Sequence, residues 1–417
     1  MSSLIKPSII SWLTAFILQG CMAPGQDTES LLPARPGETV RVSTEHELHS
    51  AIREAEPDQT IIIEDGVYQL TREVVIDGKY RLTIRGASAD ASRVVLKAGG
   101  WGDYYNNREA FQPNNAIVIV NSDDITIADL TIAEASLYGI KLEAGGDNVR
   151  FNPSNINILR CNFMNIAVRA IKGTASRNQE HLVGGSVRFC RFENTKTPES
   201  SWLFNGNYVS SIDMMYLRDW TFSDNVFYNI RGAGGGGRGA IFIWNQSRNI
   251  IAERNIFVGC DRSISFGNPS EPTLWQPGTL HNYDGIIRNN FIVSERGTGI
   301  EVIWADNVQV YHNTILGPDL QFRGIRYLQK ISRLHIANNL VQGRIIGEDA
   351  KAQMDGNYTG NLDGYFISPA VGNLRLTAHA VNAMGKGIPL PPVQYDIDGM
   401  SRKTPPDPGA HEFQQNQ

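Results

Sequence analysis

Short runs of alternating apolar and polar residues recur along the chain, and each run ends in an asparagine that is followed by one or two apolar residues. Segments such as VYHNTILG and IANNLVQG show this pattern, and most of them lead into a second apolar alternation such as RGIRYL. Strict alternation indicates a strand with one buried face, and asparagine favours turns. The repeating unit is therefore strand, asparagine turn, strand. The asparagines that mark it are Asn162, Asn225, Asn255, Asn290, Asn313 and Asn339.

A unit of this kind cannot bury its own apolar face, so successive units must stack. Strands that stack as neighbours lie about 4.8 Å apart, and equivalent positions then form ladders along the stack. An asparagine at the same turn of each unit can hydrogen-bond to the units above and below it, and it tolerates the left-handed backbone of tight turns. The pattern predicts an all-β fold, a parallel β-helix that occupies residues 38–417 as one domain.

The start of this domain predicts a helical cap. Residues 43–55, STEHELHSAIREA, begin with N-capping residue types and place Leu48, Ile52 and Ala55 on one face of an amphipathic helix. A helix at this point protects the edge of the first coil, which would otherwise be free to pair with another chain.

The N-terminus predicts export. An apolar segment over residues 9–18 is too short to span a bilayer and ends in Leu18-Gln19-Gly20-Cys21, which resembles the bacterial lipoprotein signal. The resemblance implies removal of residues 1–20, lipid modification of Cys21 and, because Met22 follows, an outer-membrane lipoprotein facing the periplasm or the cell surface. Residues 21–37 are polar and contain prolines, so we expect a flexible tether.

Composition narrows the choice of partners. The formal net charge is −5 and the pI is near 5.9, which argues against a general nucleic-acid binder, because binding of phosphate backbones needs a basic footprint.

Besides Cys21 the chain has Cys161, Cys190 and Cys260, an odd number that gives no disulfide framework. We expect a monomer with buried, reduced cysteines.

In the second alternation of each unit an isoleucine is expected to point inward, so the residue that follows it must point outward. The expected inward column is Ile140, Ile171, Ile212, Ile241, Ile264, Ile300 and Ile325. The expected outward column is Lys141, Lys172, Asp213, Phe242, Ser265, Glu301 and Arg326, with Arg169, Arg262 and Arg323 at the turn before the strand. Cations therefore concentrate on one side of an acidic chain. Like charges on neighbouring coils repel, which favours a bound anion as their counterpart.

Three long insertions lie beside this column, at residues 195–211, 231–239 and 268–285. Long loops on a rigid scaffold are where binding residues are usually found. They carry Trp202, Arg238, His281 and Tyr283, and the second insertion is rich in glycine. Aromatic rings stack on the apolar faces of sugars, while arginine and lysine pair with uronate carboxylates. We therefore expect an anionic polysaccharide as ligand.

The order of helical cap, TIIIEDGVY segment, asparagine coils and a C-terminal D-x-D-G-x-x-R…G-A-x-E segment resembles the right-handed parallel β-helix proteins of the pectate-lyase superfamily. The likeness covers about residues 38–415 and is strongest for polysaccharide lyase family 6, which contains chondroitinase B and alginate lyases. The C-terminal residues that carry it are Asp396, Asp398, Gly399, Arg402, Gly409, Ala410 and Glu412. The superfamily also contains hydrolases, epimerases and adhesins, so the resemblance predicts the fold more strongly than the activity.

Family 6 enzymes use a lysine base, an arginine acid and a calcium ion held by asparagine and glutamates. The resemblance thus implies Lys172 as base, Arg262 or Arg326 as acid, and Asp213 or Glu301 as a metal ligand. The paired-glutamate motif of the family does not occur here, so calcium is only a possible cofactor.

A metal-free alternative uses His281 as base and Tyr283 as acid, with Arg262 or Arg238 on the substrate carboxylate. Hydrolysis ranks lower, because it needs two carboxylates within about 10 Å, and Asp213 and Glu301 are three coils apart. We predict a polysaccharide lyase that acts by β-elimination; the alternatives are a non-catalytic glycan-binding protein and a uronate C5-epimerase. The predicted substrate-binding residues are Arg169, Trp202, Arg238, Arg323 and Arg326.

Overall fold

A computed structural model describes residues 31–144, 149–175, 181–272 and 279–414 of the chain. Within these residues the strands repeat in sets of three and pair in parallel with the equivalent strands of the next coil. A 23-stranded sheet contains two of the three stacks, which we call ladder 1 and ladder 2, and an 11-stranded sheet forms ladder 3. Ladders 1 and 2 are joined because the long strands Thr298–Asp306 and Arg323–Ser332 run through both. The predicted parallel β-helix is confirmed.

Ladder 1 consists of Val74–Asp77, Asn115–Val120, Tyr138–Glu143, Arg169–Thr174, Ser210–Met215, Ile241–Trp244, Arg262–Phe266, Thr298–Asp306, Arg323–Ser332 and Arg344–Glu348. Ladder 2 consists of Thr39–Val42, Thr60–Ile63, Tyr80–Gly86, Asp123–Ala128, Ser154–Leu159, Leu182–Arg188, Leu217–Ser223, Ser247–Glu253, Asn282–Tyr283, Ile286–Arg288, Gln309–Tyr311, His335–Ala337 and Gln353–Asp355. Ladder 3 consists of Gly66–Gln69, Val94–Lys97, Thr131–Ala135, Asn162–Ile166, Arg191–Glu193, Val226–Tyr228, Ile256–Val258, Phe291–Val293, Thr314–Leu316, Leu340–Gln342 and Tyr358–Thr359. The remaining elements are an α-helix, Glu45–Glu54, an antiparallel pair, Phe366–Ser368 and Asn373–Leu376, and 3₁₀ turns at Arg108–Phe111, Pro369–Val371 and Ala378–Ala380.

The core consists of side-chain columns that run along the helix axis. The predicted inward isoleucines occupy equivalent positions on successive strands of ladder 1, and each is completely buried. On ladder 3, four phenylalanine rings stack 4.7 Å apart and nearly parallel. These rings are Phe163, Phe192, Phe227 and Phe257. Since each ring is covered by the coils on both sides, burial of apolar surface depends on stacking, as the repeat predicts.

The turn asparagines form a second internal column, joined by hydrogen bonds. From one coil to the next, the side-chain Nδ2 of one asparagine donates to the Oδ1 of the asparagine that follows in the column. The bonds that link Asn225, Asn255, Asn290, Asn313, Asn339 and Asn357 measure 3.0, 3.0, 2.8, 3.0 and 2.9 Å.

The assignment of Asn162 to this column is wrong by one residue. The strand register puts Cys161 and Cys190 in the asparagine position, and the Cys190 amide donates to Oδ1 of Asn225 at 2.9 Å. Cys161 and Cys190 are buried free thiols, as expected. A small thiol fills the turn without adding amide donors that would need partners.

The predicted helical cap is confirmed. Thr44 and Glu47 form a reciprocal capping box at the start of the helix, and Leu48 and Ile52 face the first coil, where both are buried. None of the described helices is both long and apolar enough to cross a membrane.

Residues 31–37 do not form the flexible tether that the composition predicts. Leu31 and Leu32 pack against a patch that includes Phe189, and the Arg35 guanidinium pairs with the Asp124 carboxylate at 2.7 Å. Apolar contact and a partly buried ion pair therefore hold this segment against the flank of the β-helix. The rest of the predicted tether, the signal and Cys21 lie outside the described residues.

Candidate functional site

The outward column of ladder 1 has the register predicted from the sequence. Lys141, Lys172 and Asp213 occupy one position on successive strands, and the column continues through Phe242, Ser265, Glu301 and Arg326. Surrounding side chains and loops cover much of it, so that only 1% of the Asp213 surface and none of the Glu301 surface is exposed. A buried carboxylate needs a compensating partner, and the partners divide the column into two clusters.

The first, which we call the Asp213 cluster, consists of Arg169, Lys172, Asp213 and Trp244. Arg169 Nε lies 2.6 Å from Oδ2 of Asp213, and Lys172 Nζ lies 3.0 Å from Oδ1. The Trp244 indole N–H also donates to Oδ1, at 3.0 Å. Burial alone would raise the pKa of Asp213, but the charges of Lys172 and Arg169 and these hydrogen bonds hold the pKa well below its usual range.

Arg169 is almost completely buried, which is rare for an arginine. Its Nη1 donates to the backbone carbonyls of Val168 and Tyr208, and its guanidinium lies 4.1 Å from the centre of the Tyr208 ring. The remaining nitrogen, Nη2, has no hydrogen-bond partner among the described residues. Burial lowers the pKa of Lys172, and the Asp213 carboxylate opposes this shift. The cluster therefore holds a lysine that gives up its proton more readily than a solvated one.

The glycine-rich insertion delivers another cation to this cluster. The amides of Gly232 and Gly237 donate to one carboxylate oxygen of Asp261, at 2.8 and 2.9 Å, and the Arg238 amide donates to the Val209 carbonyl. At Gly237 an added Cβ would lie 3.0 Å from that carboxylate, so a larger residue would push the loop and the carboxylate apart. The loop is thus fixed to the scaffold.

The Arg238 side chain makes no ion pair within the part of the chain that the structure describes. Its guanidinium lies 5.8 Å from the centre of the Phe204 ring. Burial lowers the pKa of Arg238, and the positive charges of Arg262 and Arg169 lower it further. A cation surrounded by like charges favours an anionic ligand.

Two loops place aromatic rings beside these cations. Trp101 packs on Trp202 with ring centres 5.8 Å apart, and Tyr208 contacts both Tyr105 and Phe204, at 5.9 and 5.2 Å. Phe204 is 57% exposed although it is an apolar residue. We call these five residues the aromatic wall. Sequence reasoning found Trp202 and missed Trp101, Tyr105 and Phe204; the signal was the insertion WGDYYNNREAF, which breaks the repeat between two strands.

The second cluster, the Glu301 cluster, consists of Arg262, Glu301, Arg326 and Glu348. The Glu301 carboxylate lies 3.2 Å from Arg262 and 3.1 Å from Arg326. Arg326 also pairs with both oxygens of Glu348, at 2.8 and 2.6 Å. Two arginines thus face two carboxylates, and the cluster neutralises its own charge.

Comparison with known proteins supports the fold seen here. A family model described as right handed beta helix region matches residues 149–341. The chain folds as a right-handed parallel β-helix. No curated protein matches it significantly.

Several solved β-helix structures are similar. They include an alginate lyase from Paenibacillus sp., with 16% identity and a TM-score of 0.50 over 77% of this chain and 98% of that chain. A mannuronic acid specific family 6 lyase from human gut microbiota has 14% identity and a TM-score of 0.44 over 78% of this chain and 83% of that chain. A pectate lyase has 11% identity and a TM-score of 0.44 over 93% of this chain and all of that chain. At these identities the likeness concerns the β-helix fold alone.

The alternative site with His281 as base and Tyr283 as acid is contradicted. His281 lies in the turn between ladders 1 and 2, where Nδ1 accepts from the Asn245 amide and Nε2 donates to the Ser270 carbonyl. Burial lowers the pKa of His281 to about 4, and neither ring nitrogen is available to a substrate. The Tyr283 hydroxyl accepts from the Leu280 amide, and its strand belongs to ladder 2 of the β-helix.

The two predicted metal ligands are surrounded by cations. Asp213 and Glu301 each accept hydrogen bonds on both carboxylate oxygens from lysine, arginine, serine or tryptophan groups. A calcium ion prefers six to eight oxygen ligands, and these arginines would repel it. The residues therefore do not fit calcium. Among the described residues, one trio of potential ligands lies close together, Asp396, Asp398 and His411, at the C-terminal end of the β-helix domain.

The other predicted residues differ in their surroundings. Lys172, Arg169 and Arg238 lie together at the Asp213 cluster, with Trp202 in the aromatic wall beside it. Arg262 and Arg326 belong to the Glu301 cluster. Arg323 is exposed at the first position of the strand that carries Arg326. The structure thus separates the predicted residues into two groups along one ladder.

Proposed function

We propose that the protein binds an anionic, uronate-containing polysaccharide along ladder 1 and cleaves it by β-elimination at the Asp213 cluster. The observation that carries this proposal is the charge of the site. Three cations, Arg169, Lys172 and Arg238, surround the single carboxylate of Asp213, and Arg238 makes no ion pair among the described residues. A carboxylate of the polymer supplies the missing negative charge.

β-Elimination on a uronate removes the proton from C5, forms a C4–C5 double bond and expels the oxygen on C4. In our proposal Arg238 neutralises the substrate carboxylate, which makes the C5 proton more acidic. Lys172 removes that proton, and the lowered pKa that burial gives its ammonium group favours this role.

The leaving oxygen needs a proton. Arg262, the acid expected from the sequence, is ion-paired with Glu301, so we assign this step to Tyr105. Burial raises the pKa of Tyr105 to about 12, and the nearby Tyr208 contributes to this shift, so its hydroxyl remains protonated at neutral pH. Phe204 and Tyr105 are 57% and 41% exposed, and in our proposal sugar rings stack on them.

A second candidate, binding without cleavage, is favoured by one specific contact. The bond of 3.0 Å between Lys172 Nζ and Asp213 stabilises the charged lysine, which must lose a proton before it acts as a base. If substrate does not break this pair, the same site holds the polymer for other enzymes.

The test compares the wild-type protein with Lys172→Ala and, as a matched control, Lys141→Ala. Lys141 lies in the same outward column and pairs with the partly exposed Glu143. Polymannuronate, pectate and chondroitin are incubated with each protein, and the ultraviolet absorbance of the unsaturated product is followed. We expect product from at least one polymer with the wild type and Lys141→Ala, and none with Lys172→Ala.

Binding without absorbance would reject cleavage and favour the second candidate. Exchange of the C5 proton with solvent deuterium, without chain cleavage, would indicate a C5-epimerase. Activity that survives in Lys172→Ala would exclude Lys172 as the base.

We further propose that Cys21 is lipid-modified and anchors the protein in the outer membrane. The proposal rests on the LQGC segment at residues 18–21. Metabolic labelling with a fatty acid, followed by membrane fractionation, tests it. The label should disappear in Cys21→Ser, and a soluble, unlabelled wild-type protein would contradict the anchor.

A further inference from the structure

A groove of about 420 Å³ lies on ladder 2, over the last three coils of the β-helix. It is remote in sequence from the Asp213 cluster and belongs to another ladder. Most of the side chains that line it are of polar type, and they come from three successive strands and the turns beside them. The side chains that matter here are Gln309, Tyr311, Arg333, His335, Lys351 and Gln353.

A chain of hydrogen bonds runs along the floor of this groove. The Tyr311 hydroxyl lies 2.7 Å from Nδ1 of His335, and Nε2 of the same ring lies 2.9 Å from the Asp355 carboxylate. Gln353 donates to the same carboxylate oxygen at 2.8 Å. A carboxylate accepts only, so it fixes the proton of the imidazole on Nε2. In the singly protonated imidazole Nδ1 is then an acceptor, and the Tyr311 hydroxyl donates to it.

This arrangement leaves the Tyr311 oxygen as an oriented acceptor. Its proton is directed to His335, and its ring is held edge-on against the imidazole with centres 5.1 Å apart. The remaining lone pairs of the oxygen can therefore accept from a ligand hydroxyl. The residue is only 5% exposed, so its position is set by packing.

Donors lie around this acceptor. The Gln309 amide and the exposed Lys351 ammonium make no side-chain hydrogen bond or ion pair with any residue that the structure describes. Asp306 offsets the charge of Arg333, and Asp355, which accepts from the singly protonated His335 ring, offsets that of Lys351, so the charges near the groove are balanced. Balanced charge together with an oriented acceptor and free donors favours a neutral ligand rich in hydroxyl groups.

We propose that this groove is a second glycan-binding site, which takes a neutral oligosaccharide and works independently of the Asp213 cluster. Tyr311 accepts from a sugar hydroxyl, His335 and Asp355 position it, and Gln309 and Lys351 donate to neighbouring hydroxyls. A protein with two such sites holds a neutral polymer while an anionic one lies on ladder 1.

The test measures binding of cellohexaose, mannohexaose and xylohexaose to the full chain by isothermal titration calorimetry. We expect at least one of them to bind, Tyr311→Phe and Lys351→Ala each to weaken it about 5- to 10-fold, and Lys172→Ala to leave it unchanged. The matched control is Tyr358→Phe, which removes a hydroxyl from ladder 3, where its partner is Tyr365.

Tyr311→Phe keeps the packed ring, and thermal unfolding checks that the fold is retained. Lys351 is exposed, so its variant tests the groove without disturbing the core. The proposal is wrong if none of the three oligosaccharides binds, or if Tyr311→Phe and Lys351→Ala bind as tightly as Tyr358→Phe. It is also wrong if binding disappears in Lys172→Ala, because the ligand would then occupy the Asp213 cluster.

Discussion

The Asp213 and Glu301 clusters lie on the same outward column of the same ladder, and both have a completely buried carboxylate at their centre. They differ in charge balance. Glu301 and Glu348 together offset Arg262 and Arg326, whereas Asp213 alone faces Arg169, Lys172 and the nearby Arg238. Only the first of the two is bordered by the aromatic wall. A buried cluster on a β-helix face whose charges cancel is therefore structural. A buried cluster with excess charge is a candidate ligand site.

The largest expected difference between the clusters concerns stability. Asp213→Asn leaves the buried Arg169 guanidinium without a counter-charge, which typically costs about 3–5 kcal/mol of unfolding free energy. Glu301→Gln should cost less, about 1–2 kcal/mol, because Arg326 keeps Glu348 and Arg262 is partly exposed. Urea unfolding of both variants measures the two losses. Glu143→Gln, from a partly exposed pair, is the control, and equal losses of stability at Asp213 and Glu301 would contradict the proposed difference between the clusters.

The next prediction concerns how the stability contributed by Asp213 depends on pH. Because the pKa of Asp213 is lower in the folded protein than its ordinary value of 3.8, its ion pairs stabilise the fold above that value. That contribution is lost as pH falls through the folded pKa. We expect the difference in urea midpoint between wild type and Asp213→Asn to be constant from about pH 7 to 5 and to shrink below about pH 4. A difference that grows on acidification would mean that the carboxyl is protonated in the fold.

The next prediction concerns binding of the anionic polymer. Arg238→Ala should weaken binding of polymannuronate about tenfold, because it removes a charge-assisted hydrogen bond to the polymer. Arg323→Ala removes an exposed arginine beside the balanced cluster, and we expect a change of less than about twofold. Affinity electrophoresis compares the two variants under one salt condition. A larger loss for Arg323→Ala would move the ligand site to the Glu301 cluster.

The smallest expected effect belongs to the aromatic wall. Phe204→Ala should weaken polymer binding about fivefold through lost stacking and leave the melting temperature almost unchanged, because the ring is 57% exposed. Tyr395, 56% exposed on the C-terminal segment, provides the control variant Tyr395→Ala. Equal binding by the two variants would remove Phe204 from the site.

The period-2 pattern predicted the ladders, the inward isoleucines and the order of the outward column, because side-chain direction in a strand follows from position alone. It did not predict which outward residues become buried. That depends on where the loops around Trp101 and Phe204 fold, and these loops have no period. The sequence therefore suggested Asp213 as an open metal ligand, while the structure surrounds it with cations.

His281 is a second residue whose surroundings the sequence did not predict. It lies within a long insertion, and the sequence offers it as the base of the metal-free alternative. In the structure it belongs to a coil turn, and two backbone groups bind both of its ring nitrogens. Asn162 was assigned to the asparagine column although Cys161 occupies that position. A segment with asparagine one residue after the column position resembles, in sequence, a segment with asparagine at that position. Only strand register distinguishes the two.

The asparagine column also determines how this molecule can change in length. Every bond in it has the same direction, from Nδ2 in one coil to Oδ1 in the next, between Asn225 and Asn357. A duplicated coil inserted within this stretch would accept from one neighbour and donate to the other, so no amide would lose its partner. Each added coil would extend the outer surface of ladder 1 by about 4.8 Å, roughly the length of one sugar residue. The column therefore allows the length of the β-helix to change by whole coils in evolution.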